Sequence, residues 1–238
     1  EATHATDHLG SAIYASPKQR YAVLYQASGN QIQFIDGGLW QEDHGDHLHD
    51  YRQASRPMSW RLAGPRPSHY NLQAGKQAAI FMDGEASASR NAAIHLIDEA
   101  GIERGQALAS TELTLPIHGL AVPLDDQLVT VGRAADAADA SPTQLERYRR
   151  NGASFVRESQ LPVRCDRLHG AFDNGNALAV GCADGVLLAR HATTGGVDDG
   201  VKVPTPIRVS TIAGHPRLAD QFIGFGNDGI APAPVTTR

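Results

Sequence analysis

Five stretches of this chain can be laid over one another, and each begins at or beside a histidine: DHLGSAIYASPKQRYAVLYQASG, SHYNLQAGKQAAIFMDGE, IHGLAVPLDDQLVTVGR, LHGAFDNGNALAVGCADG and GHPRLADQFIGFGNDG. The histidines are His8, His69, His118, His169 and His215, at separations of 61, 49, 51 and 46 positions. After each comes a short apolar run, a polar turn, and a second apolar run that ends mostly in Gly or Asp-Gly. Third runs also align, QIQFID with AAIHLID, and each leads into a Gly-containing turn. Fourth runs, MSWRLAG, ALASTELTL, SFVRESQLP and TPIRVSTIA, feed the next histidine. A unit of about 50 residues with four short strands is the signature of a β-propeller blade. The pattern predicts an all-β chain, a single β-propeller domain over residues 1–238 with blades starting near 8, 69, 118, 169 and 215. Four units are complete and the fifth stops before its third and fourth strands, so the expectation is the front part of a larger propeller, the alternative being five blades that close with an irregular last one. Helical spacing is scarce, and QLERYRR after Pro142 reads as a strand behind a loop from Ala134.

With 41% hydrophobic residues in 238, the chain can bury a real core. A net charge of -5 without a basic cluster argues against nucleic acid and acidic membranes as partners. No apolar run approaches the roughly 20 residues of a membrane span. The opening EATHATDHLG is no signal sequence, so an exported protein would be present here in mature form, its signal peptide already removed. Two cysteines are too few for a four-cysteine zinc site. Cys165 and Cys182 flank two strand-like runs around the turn Asp173–Asn176, which places them nearly opposite. A cross-strand disulfide is expected, and with it an oxidising compartment; two buried thiols are the alternative.

Eleven histidines against two methionines turn attention to imidazole. In a propeller the first strand of each blade lines the central channel, so a histidine repeated at one station becomes a ring about one axis. Three or four neutral imidazoles supply the tetrahedral shell that Zn²⁺ prefers, with Asp7 or Asp166 as a carboxylate ligand or orienting group. Five exceed one zinc, which ranks His69, His118 and His169 ahead of His8 and His215. The competing structural reading makes the repeated histidine a packing device that hydrogen-bonds the backbone of a neighbouring blade.

Between the third and fourth strands of the first unit lies a loop, residues 37–57, GGLWQEDHGDHLHDYRQASRP. Its His44, His47 and His49 are interleaved with Glu42, Asp43, Asp46 and Asp50, all donors suited to a divalent ion, and Gly45 lets the chain turn back. Such a segment must be ordered on binding, so it should hold metal more weakly than a preorganised ring. Weak outside and tight inside suits a carrier. HExxH, GxSxG and a phosphate-cradling glycine loop are missing from the sequence, so no enzyme is expected. The alternatives are a metal-dependent hydrolase or lactonase, and a metal-free interaction scaffold.

Through FIDGGLWQEDHGDHLHDY, GPRPSHY, AIFMDG, LPIHGLAVP and CDRLHG, the chain resembles the AztD family of periplasmic zinc metallochaperones over most of its length. The resemblance implies a periplasmic β-propeller that binds Zn²⁺ and hands it to the solute-binding protein of an ABC-type zinc importer. It implies zinc held in the body by histidines, matched here by His69, His118 and His169, and a mobile histidine-rich segment, residues 43–49, that takes part in transfer. Family members look longer than this chain.

Overall fold

Gly, Asp and Asn end each apolar run after a few residues, and the runs between them pair as antiparallel strands. The computed structural model describes residues 2–137, 139–193, 195–226 and 233–236. They fall into two units, Glu1–Pro116 and Ile117–Arg238.

In the first unit, β1 (Ala12–Ala15), β2 (Tyr21–Gln26), β3 (Gln31–Asp36) and β6 (Arg56–Ala63) pair in that order. Between β3 and β6 the chain leaves the sheet as a hairpin of β4 (Leu39–Asp43) and β5 (Leu48–Arg52). The second sheet runs β7 (Pro67–Gln73), β8 (Gln77–Met82), β9 (Ala93–Ile97) and β10 (Ala109–Glu112). Alternate residues of these strands, including Tyr21, Val23, Tyr25, Phe34, Ile80 and Met82, form one buried cluster. Each large apolar side chain so buried contributes roughly 1.5–3 kcal/mol. The Tyr25 hydroxyl leaves this core to donate to the His69 carbonyl at 2.9 Å, tying β7 to the first sheet.

Where a Gly-containing turn was expected after AAIHLID, the chain makes one short helix, α1 (Glu99–Arg104). Asp98 caps it, its carboxylate accepting from the Gly101 amide at 2.6 Å. Six residues are too few to show a helical period, so only the cap could have signalled it.

In the second unit, β11 (Ala121–Leu124), β12 (Gln127–Gly132), β13 (Gln144–Asn151) and β14 (Ser154–Gln160) form one antiparallel sheet. A second comprises β15 (His169–Asp173), β16 (Ala177–Cys182), β17 (Gly185–Arg190) and β18 (Val201–Pro204). Last come β19 (Thr211–Gly214), β20 (Gln221–Phe225) and β21 (Ala233–Thr236). Four up-and-down sheets of four strands are the expected blades.

Two sequence expectations are corrected here. β18 holds the fourth place assigned to TPIRVSTIA, because Pro204 and Pro206 stop the ladder and release Thr211–Gly214 to begin the next sheet. The disulfide Cys165–Cys182 is present, with a Cα–Cα distance of 5.0 Å, but it is not cross-strand. Cys182 ends β16, whereas Cys165 lies in the connection before β15, its amide donating to the Thr143 carbonyl at 2.8 Å. Among the described residues, no helix is long and apolar enough to cross a membrane.

Candidate metal centre

His169 is the first residue of β15 and is half-buried opposite Gly181. Its Nδ1 lies 2.7 Å from the Ser210 carbonyl oxygen. A carbonyl only accepts, so Nδ1 carries the hydrogen and Nε2 keeps the lone pair that a metal needs. The next residue, Gly170, sits at φ +67°, and a Cβ there would meet the Ser210 oxygen at 2.5 Å. The same carbonyl therefore orients the imidazole and demands glycine beside it.

His118 precedes β11, between the buried Ile117 and Leu120. The Leu120 carbonyl accepts from the Thr130 hydroxyl at 2.7 Å, which fixes the approach to the strand. The exposed His118 ring stacks on His169 with centroids 5.3 Å apart and planes 27° from parallel. Two imidazoles this close can offer nitrogens to one cation.

In the first unit, His69 stands on β7 opposite Phe81, the penultimate residue of β8. His169 faces Gly181, the penultimate residue of β16. The two histidines thus occupy one station in their respective blades, as the repeat requires.

His8 and His215 are placed differently. His8 lies exposed four residues before β1, its carbonyl accepting from Gln26 Nε2 at 2.8 Å. Asp7 beside it is held by Arg61, whose guanidinium keeps the carboxyl below its usual range. Asp166 is likewise paired, 2.6 Å from Arg164 Nε. His215 does not open its unit: it follows β19, in a turn where its Nδ1 accepts from the Arg217 amide at 3.1 Å.

The segment read as a loop is largely a hairpin. Pairing of Trp40 with Tyr51 and of Glu42 with His49 puts these four side chains on one face. Trp40 stacks on Tyr51 with centroids 5.1 Å apart, and its Nε1 donates to Glu42 Oε1 at 3.1 Å. Arg20, paired with Asp36 at 2.9 Å, lays its guanidinium 3.9 Å from the Trp40 ring centroid and anchors the foot of the hairpin. At the tip the turn closes by a bond from the His44 amide to the His47 carbonyl, with Gly45 at φ +91°.

The three tip imidazoles lie close together, with His49 4.5 Å from both His44 and His47 between centroids. His47 gives Nδ1 to Asp46 at 2.6 Å and turns Nε2 to within 2.5 Å of His49 Nε2. Asp43 is occupied locally, accepting from the Gly45 amide at 2.7 Å. Glu42 stands 3.9 Å from His44 Nε2. Glu42 is among the donors the sequence offers, but its pairing with His49 comes from the strand register, which a loop reading does not contain. The Ser210 carbonyl, being backbone, leaves no sequence signal at all.

No family model matches the chain. It is 30% identical over 164 residues to the zinc chaperone AztD of Citrobacter koseri, an alignment covering 68% of this chain and 36% of that protein. Two solved structures of Citrobacter koseri AztD, one of them apo, match with TM-scores of 0.68 and 0.69 at 22% identity. They are covered to 55% and 56%, and this chain to 89% and 90%. Kuenenia stuttgartiensis hydrazine synthase matches at a TM-score of 0.58 and 16% identity, a likeness of fold alone. The chain spans about a third of the curated relative's length, 36%. Its blades are those of a β-propeller, and the chain belongs to the AztD family.

Proposed function

We propose that this protein carries Zn²⁺ in the periplasm and passes it to the solute-binding protein of an ABC-type zinc importer, without transforming a substrate. His118 and His169 hold the ion in the body, one imidazole nitrogen each, with His69 as the third ligand that the family resemblance implies. His44, His47 and His49, with Glu42 and the orienting Asp46, form a second and weaker station on the hairpin, while Asp43 serves its turn. His8 and His215 take no part.

The observation that carries this reading is the pair His118 and His169, stacked at 5.3 Å with His169 Nδ1 committed to a carbonyl. A backbone acceptor on Nδ1 suits a packing histidine equally; it is the second imidazole stacked beside His169 that favours a metal site, since two such rings can offer nitrogens to one cation. The second argument is family membership, since the relative is named a zinc chaperone. The disulfide agrees with an oxidising compartment. A carrier also needs a site that releases, and the exposed histidines of the hairpin tip can be reached by a partner.

Zinc competition against a chromophoric chelator tests the body site. Replacing His118 and His169 together by Asn should abolish the tight site and leave the fold intact; retained affinity and stoichiometry would overturn it. Handover is tested by mixing zinc-loaded protein with candidate importer binding proteins in the presence of excess chelator. Deleting residues 42–50 should slow transfer or remove the weaker site, and unchanged kinetics and stoichiometry would leave the hairpin without that role. Hydrolysis of esters or lactones that disappears with the body site would favour an enzyme instead.

A further inference from the structure

Two backbone routes connect His169 to the disulfide. Along the first, the Cys182 carbonyl accepts from the Val209 amide at 3.0 Å, and the next residue, Ser210, offers the carbonyl that accepts from His169 Nδ1 at 2.7 Å. Gly181, beside Cys182, packs so closely that a Cβ there would stand 2.3 Å from the Val209 oxygen and 2.7 Å from the His169 oxygen. The end of β16 is therefore a shared support for the imidazole and for its acceptor.

Along the second route, residues 165–168 lead directly into His169. This segment contains Arg167 at φ +51°, a left-handed conformation that a residue with a Cβ adopts against a steric penalty. It is held in that shape by the bond at Cys165, by the Asp166 carbonyl accepting from the Ala183 amide at 2.8 Å, and by the Leu168 amide donating to the Pro142 carbonyl at 3.2 Å. Cys165 and Cys182 are both 0% exposed, so a reductant in solution reaches their sulfurs only when this region opens. The oxidation state reached during folding is the one that the folded protein keeps.

We propose that Cys165 and Cys182 are positioning residues of the metal centre: their bond fixes the approach to His169 and the strand end that carries its acceptor, so that Nε2 is presented to zinc only in the oxidised chain. This rests on His169 being a ligand, as in the function proposed above. Forming the bond joins the two sulfurs and releases two protons and two electrons, which convert a disulfide oxidant into two thiols. A chain folded with free thiols keeps its histidines and lacks the tight site, which confines zinc loading to protein that has passed through an oxidising compartment.

Long-range proton–nitrogen NMR correlation at about pH 8, where free imidazole is neutral, reports which ring nitrogen of His169 carries the hydrogen. In the parent it should be Nδ1. Cys165→Ala combined with Cys182→Ala should give a mixture of tautomers, and its zinc affinity in chelator competition should fall about tenfold. Phe155→Leu, which opens a cavity beside β14 in the same unit, should lower Tm and leave both readouts at parental values. Parent refolded with a phosphine reductant keeps both sulfurs in the core and should match the alanine pair; it supplies the tautomer result should that pair not fold. A parental ring protonated on Nε2, an unchanged tautomer or zinc affinity without the disulfide, or an equal change in the Phe155 variant overturns the proposal. Absence of zinc binding by the parent would overturn the metal reading itself, whereas the tautomer comparison is made without metal and judges the positioning alone.

Discussion

Gly170→Ala should damage stability and metal binding together, because one backbone carbonyl underlies both. At φ +67° an alanine pays the left-handed penalty, about 1 kcal/mol. Its Cβ would also stand 2.5 Å from the Ser210 oxygen and 3.0 Å from the Thr211 Cα, both backbone atoms that no side-chain rotation can move aside. Forcing that segment away is an overpacking problem of about 1–3 kcal/mol. The total is roughly 2–4 kcal/mol. Gly152→Ala provides the control: its φ is +61°, but nothing lies within 4 Å of the added carbon, so about 1 kcal/mol is expected there. Displacing Ser210 also loosens the acceptor of His169 Nδ1, and loss of such an orienting partner weakens metal binding about 10–100-fold. Urea denaturation gives the first quantity and zinc competition the second. If Gly170→Ala is no more destabilising than Gly152→Ala, or binds zinc as the parent does, the coupling of fold and site through Ser210 is wrong.

Reducing Cys165–Cys182, whose partners lie 17 positions apart, should lower unfolding free energy by about 3 kcal/mol, read from urea curves with and without reductant. Burial lowers the imidazole of His95 to about 4, so its unfolded form takes up a proton first as pH falls from 6.5. Stability from this group is present above pH 6.5 and should be lost at up to about 1.4 kcal/mol per pH unit down to about pH 4, a slope that His95→Gln should flatten. An identical pH profile in the variant would refute this. Asp46→Asn should weaken the hairpin's zinc station about tenfold, with no change in Tm because Asp46 is 84% exposed. Equal two-site titrations of parent and variant would remove Asp46 from that role.

The blade pattern was readable because each strand is short, apolar and bounded by turn residues, and because the repeat supplies several independent copies of that signal. Its phase was less secure. His169 begins its strand, His118 precedes one and His215 follows one, and similar local sequences accommodate all three. Proline decided the last case, by ending β18 before the run that resembled it. The hairpin was hidden by composition: its strands are mostly exposed and polar, with alternation visible only at Trp40 and Tyr51. What holds it is a cross-strand aromatic pair on an arginine that is 20 positions upstream of Trp40, a contact no local window contains. Helix α1 was missed because capping, not periodicity, produces it.

The two-residue repeat of the hairpin imposes a rule of parity on its length. Trp40 and Tyr51 set which side faces the anchoring Arg20, and every second residue toward the tip inherits that side. Loss of Gln41 alone would send Glu42 to the side opposite His49, while insertion of two residues between Trp40 and Glu42 would keep the side and change only the reach. Length variants of this arm should therefore sort by odd and even, and an arm lengthened by two residues keeps the shared face of Glu42 and His49 that an arm shortened by one has lost.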